Sequence, residues 1–506
     1  MENLTVQTQP RPLSTRRRWA ALAVLLFPVL LVSVDNTVLS FAVPAISAAL
    51  QPTGNQLLWI IDIYPLVLAG LLVPMGSLGD RIGRRKLLLT GAVGFALVSG
   101  VAAFATDASQ LIAARVLLGF FGAMLMPATL SLLRNIFEDP TERRTAIAIW
   151  AAAFSGGAVL GPIIGGILLE HFWWGSVFFL AVPMLLPLLI GGLILLPESK
   201  DPNPGKVDPI SILLVIMTLL PFVYGIKSIS SGPWFIPVIA LVLSVVCGVV
   251  FVRRQLGQPT PMLDVRLFTN RIFSGALVIN LIGVFSLVGF IYFVSQHLQL
   301  ISGLTPFEAG VWMTPGLVLT MVFGLLAVRF AKRFGASNVM IAGLVLSALA
   351  YGIVVFAGST GNDNWLLVAF CILGLGVGMS ETLSNDLVIS EVPAAKAGAA
   401  SAISETAYEI GSVLGTAVLG TILNGIYAVT LQVPSSLSPA QAEAATQTLS
   451  GAHTVAGELD GTTSVTLLEA AAHSFDQGVL VTASLAALLA LVAAIVVFRV
   501  VKPVAR

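Results

Sequence analysis

Charged residues are scarce in this sequence, which excludes an ordinary soluble fold. Asp, Glu, Lys and Arg together make up 10% of the 506 residues, whereas 57% are hydrophobic. A soluble domain usually carries about 25% charged residues, so this chain cannot cover a water-exposed surface of the usual kind. The formal net charge of +1 gives no reason to expect a nucleic-acid partner.

Patterns typical of metal sites, disulfide frameworks and enzymes are also missing from the sequence. The two cysteines, Cys247 and Cys371, lie in apolar runs and are interpreted as small buried residues. Neither Cys nor His occurs with metal-ligand spacing. A GxxxxGK(S/T) loop is absent, which argues against ATP as the direct energy source, and no Ser-His or His-Glu pattern suggests a membrane enzyme.

Apolar runs of about twenty residues recur from end to end, which is typical of a multi-spanning helical membrane protein. The sequence therefore predicts an all-α integral membrane protein with fourteen transmembrane helices. The predicted spans cover residues 19–45, 56–76, 87–105, 109–133, 144–168, 174–196, 209–227, 234–252, 272–296, 307–328, 337–357, 364–390, 398–427 and 477–500.

The distribution of Lys and Arg predicts which ends of the spans face the cytoplasm. With the N-terminus in the cytoplasm, 24 of the 26 basic residues fall in cytoplasmic segments. Of the other two, Arg115 lies within a span and Lys227 is assigned to the opposite side. Since one missed span would invert every later loop, the pattern supports fourteen spans with both termini in the cytoplasm.

The segment 428–476 is the only long one on the external side, and it contains no Lys or Arg. Within it, Ser438, Pro439 and Gln441 form a helix-start signal, so short helices are expected in this external loop. A solvated lid without a specific role is the simplest interpretation of the segment.

An internal repeat predicts two related six-helix bundles with two inserted helices between them. The stretch GSLGDRIGRR from Gly76 resembles GLLAVRFAKR from Gly324, and each follows the second span of a six-span set. The insert contains no buried carboxylate and is interpreted as a peripheral pair. The predicted divisions are an N-terminus at 1–18, an N-terminal bundle at 19–200, an insert with linker at 201–270, a C-terminal bundle at 271–500 and a tail at 501–506.

The loop after the second predicted span is a candidate gate. Gly76 and Gly79 permit a tight turn and a close approach of helices. Asp80 can pair with an arginine or lie at the N-terminus of the third span, where the helix dipole favours an anion. A charge latch between two conformations and a simple topology-setting basic loop both explain these features. The candidate gating residues here are Gly76, Gly79, Asp80, Arg81, Gly83 and Arg84.

Two further motifs lie inside predicted spans. Arg115 in span four is costly to bury, so we expect it to pair with an acid, either as a structural ion pair or as part of proton transfer. In span five, Gly161 and Gly165 form a small-xxx-small face for close helix packing. Pro162 removes one backbone hydrogen bond, which suggests a hinge, although packing alone explains the glycines.

Carboxylic acids within predicted spans are the candidate cation-binding and proton-coupling groups. Asp35 and Asp62 belong to the outer halves of spans one and two, and Glu405 and Glu409 share one face of span thirteen. A carboxyl group that gains and loses a proton can exchange it for a cation. Glu381 in span twelve is a further candidate. Each acid can instead be a satisfied polar group.

Aromatic side chains near these acids could offer cation–π faces, although ordinary packing explains each of them equally well. Asp386 lies nearer the cytoplasmic end of span twelve, where a polar helix end is the simpler interpretation. The aromatic candidates are Trp59, Tyr64, Tyr292 and Tyr408.

The motifs GSLGDRIGRR, LGPIIGG and SVDNTVLSFAVP, together with Arg115, resemble those of the major facilitator superfamily and of its fourteen-span drug:proton antiporters. SNDLVISEVPAAKAGAASAISETAYEIG is similar to exporters of quaternary ammonium compounds and methyl viologen. The resemblance implies that Asp35, Asp62, Glu405 and Glu409 are the family's functional acids. Ser404 replaces an acid found in some relatives, which leaves the preferred cation valence open.

The resemblance further implies a bacterial cytoplasmic (inner) membrane protein that is driven by the proton gradient and has no cofactor. The implied partners are lipophilic cations, protons and the lipid bilayer, with no obligate protein partner. Two alternatives remain open at this point. One is the export of a neutral or anionic metabolite, with the acids serving only protons. The other is a non-transporting membrane scaffold or receptor.

Overall fold

The computed structural model describes residues 14–200, 208–229, 233–259, 261–357, 362–392 and 397–501. Within these ranges the chain is helical, without a strand, and fourteen helices are long and apolar enough to cross a membrane. We call them spans 1 to 14. Their bounds are Thr15–Leu50, Gly54–Ile82, Arg84–Ala102, Ala108–Ile136, Pro140–His171, Ser176–Leu195, Pro209–Lys227, Phe235–Gly257, Arg271–Ile301, Pro306–Phe334, Ala336–Phe356, Asn364–Ser390, Ala399–Thr430 and Gly461–Arg499.

Some parts of the predicted divisions lie outside the described residues. These are positions 1–13 of the N-terminus, 201–207, 230–232 and 260 of the insert with its linker, 358–361 and 393–396 of the C-terminal bundle, and 502–506 of the tail. The divisions between the bundles therefore stay predictions, whereas the count and order of the spans agree with the sequence-based prediction.

Helix-start signals explain where several spans begin. Span 5 starts after Asp139, whose side chain accepts hydrogen bonds from the backbone N–H groups of Thr141 and Glu142. Pro140 occupies the first helical position, where its missing N–H costs nothing. Asp208 starts span 7 in the same way. An acidic cap followed by proline thus fixes both helix starts through local chemistry.

The predicted boundary that departs most from the structure is the start of span 14. Span 14 begins at Gly461 and not at 477, because its first turns are helical but too polar to be recognised as a membrane span. The predicted external loop 428–476 is therefore shorter, since span 13 continues to Thr430. The connection contains two short helices, Pro439–Gln447 and Leu449–Ala456, and the predicted capping box at Ser438 is confirmed.

Spans 2 and 10 begin and end in the same way, as the internal repeat predicts. Each helix has 29 residues and begins with a capping box, at Thr53 in span 2 and at Thr305 in span 10. Each ends before a glycine with a positive φ, 111° at Gly83 and 84° at Gly335. Only glycine adopts such angles without strain, so both loops turn at an equivalent point.

The register of this repeat differs from the predicted one. Aligning the ends of the two helices pairs Arg81 with Arg333, whereas the motif similarity paired Arg81 with Arg329. The two registers differ by four residues, close to one helical turn. When the helix ends are aligned, Arg81 and Arg333 are the only basic pair that coincides, so the charge pattern alone favours the other register.

The two ends of the bundle carry different groups. We call the end where span 1 begins the basic face; there Arg17 Nη2 donates to the carbonyl of Ile194 at 2.7 Å. We call the opposite end, which carries the two short helices, the loop face. Ser450 on the second of these helices donates to the carbonyl of Pro44, at a distance of 3.3 Å.

Spans 1–6 and spans 9–14 interlock in the half of the bundle nearest the loop face. Spans 5 and 10 pack together, and so do spans 2 and 13. Ser295 Oγ donates to the carbonyl of Ser40 at 3.0 Å, which joins span 9 to span 1. A Cβ added to Gly166 would lie 2.5 Å from Phe307 Cα, so spans 5 and 10 approach as closely as backbones allow.

Candidate functional site

Asp35 and Arg115 form a buried ion pair between spans 1 and 4. Arg115 Nη1 donates to Asp35 Oδ2 at 2.9 Å, and the two side chains are 9% and 2% exposed for Asp35 and Arg115 respectively. The guanidinium carbon lies 4.4 Å from the centre of the Tyr64 ring. An intramembrane arginine paired with an acid is what the sequence predicted, and the structure identifies that acid as Asp35.

Span 2 supplies the other acceptors of Arg115. Its Nε donates to the carbonyl of Ile60 at 3.1 Å, and its Nη2 donates to the carbonyl of Ile61 at 3.4 Å. Pro65 explains why the second carbonyl is available, because proline has no N–H to donate to the residue four positions earlier. The arginine therefore replaces a helix hydrogen bond that the sequence of span 2 cannot form.

Asp62 forms a second buried ion pair, with Lys227 at the end of span 7. Lys227 Nζ lies 2.8 Å from Asp62 Oδ2, and neither side chain is more than 1% exposed. The hydroxyl of Thr416 in span 13 donates to Asp62 Oδ1. The ring of Trp59 covers the ammonium group, with 4.1 Å from Nζ to the ring centre. One carboxylate thus connects span 2, the insert and span 13.

The insert is therefore more than the peripheral pair that the sequence predicted. None of its described residues is a buried carboxylate, but it supplies a buried cation, Lys227. A lysine at the end of an apolar run usually marks the boundary between membrane and water, which is why sequence reasoning missed it. The useful signal was that Lys227 departs from an otherwise consistent distribution of basic residues.

Two glutamates of span 13 lie near the Asp35 pair. Glu409 is 6% exposed; it interacts with the side chain of Asn36 and is close enough to Asp35 and Glu405 to feel their charges. Glu405 lies one turn away on the same face, half-buried, and within electrostatic range of Arg134. Spans 1 and 13 thus bring three carboxyl groups into one electrostatic neighbourhood.

The two acids of span 12 differ in exposure. Glu381 is half-buried and acts electrostatically on Tyr408, which places it beside span 13. Asp386 is exposed near the end of the helix, in keeping with the simpler of its two interpretations. The two aspartates of spans 1 and 2 form separate ion pairs, Asp35 with Arg115 and Asp62 with Lys227.

Two of the four candidate aromatic faces are occupied by cations of the protein itself. Tyr64 lies under Arg115, and Trp59 lies under Lys227. Tyr408 packs edge-to-face on Phe154 of span 5, with ring centres 6.1 Å apart. Tyr292 is 1% exposed in span 9. Tyr408 thus remains the aromatic candidate that joins the two six-span sets near the glutamates.

The glycine face of span 5 packs against span 1, as predicted. A Cβ at Gly161 would overlap the hydroxyl of Thr37, and one at Gly165 would overlap the Val38 side chain. The carbonyl of Pro162 lies against Gly310 of span 10, and the helix continues unbroken from Pro140 to His171. The Gly-Pro segment therefore lies where span 5 contacts both six-span sets.

In the loop after span 2, Asp80 pairs with Arg84. Arg84 donates to Asp80 Oδ1 through Nε at 2.9 Å and through Nη2 at 2.6 Å. Gly79 lets the Leu87 side chain approach, with 3.0 Å from a built Cβ, whereas Gly76 has only Pro127 within ordinary contact. Of the two options for Asp80, the structure therefore selects the arginine. Arg81 is exposed at the basic face.

Glu198, which sequence reasoning missed, occupies the start of span 3. Its carboxylate accepts hydrogen bonds from the backbone N–H groups of Arg85 and Lys86, at 3.1 and 3.3 Å. An anion is favoured there by the helix dipole. The same carboxylate lies 2.6 Å from a Cβ built on Gly83. The sequence signal was weak, since Glu198 is more than a hundred residues from its partners.

A separate cavity of about 360 Å³ lies toward the basic face, apart from the ion pairs. Apolar groups dominate its walls, so we assign the site by the buried charges rather than by this cavity. Its lining residues are Phe330, Phe334, Asn338, Val339, Ala342 and Met379.

Fourteen helices that are able to cross a membrane, with acid–base pairs buried between them, define a polytopic helical membrane protein. The chain belongs to the Major Facilitator Superfamily, whose family model matches residues 25–416, and it is therefore a transporter and not an enzyme. Both the fold class and the family that the motifs predicted are thereby confirmed.

Relatives and solved structures agree with this assignment. The chain is 51% identical over 490 residues to the multidrug efflux pump LfrA of Mycolicibacterium smegmatis, covering 96% of this chain and 97% of that protein. It is 39% identical over 464 residues to the methyl viologen resistance protein SmvA of Salmonella typhimurium, covering 91% and 93%.

Among solved structures, an inward-facing bacterial homologue of the human lysosomal transporter Spinster matches with a TM-score of 0.67 and 18% identity, covering 96% and 98% of the two chains. A peptide transporter POT in complex with sulfate matches with a TM-score of 0.66 and 14% identity, covering 97% and 95%. At these identities the likeness shows the shared fold.

Proposed function

We propose that this transporter is a proton-coupled multidrug efflux antiporter that exports lipophilic cations by alternating access. Its substrates are quaternary ammonium biocides, cationic dyes and methyl viologen. The proton gradient across the bacterial cytoplasmic membrane supplies the energy without a cofactor. Both termini lie in the cytoplasm, so the basic face is cytoplasmic and the loop face external.

The neighbourhood of Glu409 carries the proposal. This glutamate is buried close to two further carboxyl groups, Asp35 and Glu405. Burying an anion is costly, and a like charge nearby increases the cost. The group is therefore stabilised either by a bound proton or by a cation that enters the site. Exchange of a proton for a drug requires a site that binds either a proton or a drug cation, but not both at once.

The names of the relatives support a drug as the cargo. One is called a multidrug efflux pump and another a methyl viologen resistance protein, and both match over more than nine-tenths of this chain. Methyl viologen is a dication with flat aromatic rings. Acidic groups beside an aromatic side chain such as Tyr408 suit a cation of that kind.

We assign the conformational parts of the cycle to the two glycine-containing motifs. The Asp80–Arg84 pair and the loop around Gly83 form a latch at the cytoplasmic side. The Gly161-Pro162-Gly165 segment lies between span 1 and span 10, where the two six-span sets must move against each other. We propose both roles from the positions of these residues in the fold and from the chemistry of their side chains.

Export assays in cells test the assignment of the acids. Asp35→Asn and Glu405→Gln are each expected to abolish ethidium efflux while the amount of protein in the membrane stays the same. Asp386→Asn is the matched control, because this acid is exposed at a helix end, and it should retain efflux. Unchanged ethidium efflux in both of the first two variants would overturn the proposal.

Purified protein in proteoliposomes tests the coupling and the cargo. Addition of tetraphenylphosphonium or methyl viologen should drive proton movement, and direct binding of either cation should weaken as the pH is lowered. The alternative is a neutral or anionic cargo, which is favoured by the fact that Asp35 and Asp62 already have basic partners. Proton movement without any response to cations would support that alternative.

A further inference from the structure

Lys227 belongs to the inserted spans, yet its charge lies inside the transporter. It is the last residue of span 7, its side chain is 0% exposed, and Nζ lies 2.8 Å from Asp62 Oδ2. The Trp59 ring lies over the same ammonium group. A buried lysine is expensive unless an acid compensates its charge. Nothing in the proposed exchange of a proton for a drug calls for this cation, so its presence needs a separate explanation.

The second oxygen of Asp62 points to that explanation. It accepts a hydrogen bond from Thr416, so the carboxylate links span 2 of the first six-span set to span 13 of the second. Thr416 lies in a π-helical segment, Gly415–Gly420, a local widening that often marks functional positions. A Cβ added to Gly420 would lie 2.6 Å from Leu58, so spans 2 and 13 are also tightly packed beside the carboxylate.

Other charged or titratable groups face Asp62 from further away. Arg115 of span 4 acts on it electrostatically, as does the phenol of Tyr292 from span 9. Glu409 of span 13 is influenced by Glu405 and Asp35 instead. Lys227 is thus the group in direct ionic contact with Asp62.

We propose that Lys227 is the resident counter-cation of Asp62 and that the Lys227–Asp62–Thr416 cluster locks the loop face in its closed state. This inference rests on the proposed function, in which the external side stays closed while a drug enters from the cytoplasm. In the closed state Lys227 occupies the carboxylate, so Asp62 is not available to a drug cation there. In this closed state the acids left for exchange are Glu405 and Glu409, because Arg115 occupies Asp35 in the same way.

Charge compensation makes the lock testable with paired substitutions. Removing either charge takes from the other its buried partner in this pair, whereas removing both leaves a neutral contact. Opening of the loop face is read with a single cysteine at position 40, which is 3% exposed and whose carbonyl accepts the hydrogen bond from Ser295. Cys247 and Cys371 are first replaced by Ser, so that the cysteine introduced by Ser40→Cys is the only thiol. We call this triple variant the reporter, and all other substitutions are made in it.

The labelling experiment uses right-side-out membrane vesicles, a membrane-impermeant maleimide, no drug and a collapsed proton gradient. Asp62→Asn and Lys227→Met are each expected to raise the labelling rate at least about tenfold, and the double variant should return to within about twofold of the reporter alone. Lys200→Met, an exposed lysine on the basic face, is the matched control and should label like the reporter.

Lowering the pH separates a lost charge from a lost packing contact. In Lys227→Met the unpaired charge is on Asp62, so acidification to about pH 5 should reduce its excess labelling. In Asp62→Asn the remaining charge of the pair is on Lys227, and the excess labelling of this variant should not fall. Thr416→Val keeps both charges but removes the hydrogen bond that links the two six-span sets. The cysteine at position 40 should therefore be labelled faster in this variant than in the reporter.

Two results would overturn the lock. One is a Lys227→Met variant that labels like the reporter, and the other is a double variant that labels as fast as the single ones at equal membrane levels. Since labelling needs neither drug nor proton gradient, its outcome is independent of the export assays. If the export assays failed while the double variant still restored closure of the loop face, only the proposed function would be contradicted.

Discussion

Arg115 donates from Nη1 to Asp35 at 2.9 Å, and this contact joins span 4 to span 1 deep in the bundle. The same guanidinium donates to two carbonyls of span 2, one of which Pro65 leaves without its helix partner. A planar group with donors on three nitrogens can satisfy all three acceptors at once. The ion pair is therefore also the point at which three spans are held together.

Arg115→Lys should weaken both stability and transport, although it keeps the charge. An ammonium group can compensate Asp35, but it cannot also reach both carbonyls in the fixed geometry of a guanidinium. Arg115→Met should be worse, since breaking a buried pair by removing one partner costs about 3–5 kcal/mol. Thermal melting of the purified protein and ethidium efflux in cells measure the two effects.

Arg144→Met is a suitable control for these variants, because Arg144 is exposed at the basic face. It should melt like the unmodified protein. If Arg115→Lys matched the unmodified protein in both assays, the hydrogen bonds to span 2 would be shown to be unimportant and only the charge would matter.

Gly161→Ala should impair packing between spans 1 and 5, whereas Gly156→Ala on the same helix should not. A Cβ at Gly161 overlaps the Thr37 hydroxyl, while one at Gly156 meets nothing within 4 Å. Overpacking of a tight contact costs about 1–3 kcal/mol. Gly156→Ala should be neutral or slightly stabilising, because alanine is the better helix former. Melting temperature and efflux rate are compared for the two variants.

Thr37→Ala provides the second half of this test. Removing the hydroxyl relieves the overlap, so Gly161→Ala combined with Thr37→Ala should recover part of the lost stability. A double variant no better than Gly161→Ala would show that the defect arises elsewhere, for example in the contact of Pro162 with span 10.

Sequence reasoning predicted the spans and the motifs because both depend on local patterns. Runs of apolar residues define a helix that can cross a membrane, and an acidic cap with proline defines its start. The start of span 14 at Gly461 was missed for the same reason, since its first turns are helical yet polar. The repeat was recognised, but its register was taken from the basic residues, most of which do not align when the helix ends do.

Local sequence patterns could not identify the partners of the buried acids. Asp35 and Arg115 are 80 residues apart in sequence, and Thr416 is 354 residues from Asp62. Burial cost predicts that such groups have partners, but only packing decides which ones. Lys227 illustrates the limit, because a lysine beside water and a lysine folded inward against Trp59 look alike in sequence.

Gly83→Ala should destabilise the loop between spans 2 and 3 more than Gly303→Ala destabilises its own loop. Both glycines have a positive φ, 111° and 71°, so both variants incur backbone strain of about 1–2 kcal/mol. Only at Gly83 does the new Cβ also meet the Glu198 carboxylate, 2.6 Å away, whereas Gly303 faces open space. Thermal melting should therefore show the larger shift for Gly83→Ala.

Glu198→Ala tests the carboxylate directly. It removes the acceptor of two backbone N–H groups at the start of span 3, and loss of such a cap costs about 1 kcal/mol. In the Gly83→Ala background, Glu198→Ala should lower the stability by a smaller amount, because it also removes the overlap between the carboxylate and the new Cβ. Equal costs in the two backgrounds would mean that the carboxylate and residue 83 do not interact.

The start of span 7 should be sensitive to acid through Asp208. Hydrogen bonds from Arg254 hold the pKa of Asp208 well below its usual range, and the donors of Ser211 and Gln258 add to this effect against the opposing influence of burial. A carboxyl group whose pKa is lowered by folding stabilises the fold above its unfolded pKa of about 4, and this stabilisation is lost as the pH falls toward the folded pKa.

Hydrogen exchange can measure this dependence locally. Asp208 accepts from the backbone N–H groups of Ile210 and Ser211, so exchange at these two amides reports the cap. Asp208→Asn keeps a capping oxygen but removes the charge. At neutral pH both amides should exchange faster in the variant than in the unmodified protein. The difference should shrink below about pH 4 and also in high salt, because the ion pair is partly exposed. A difference that stayed constant across this pH range would show that the charge of Asp208 does not stabilise the helix start.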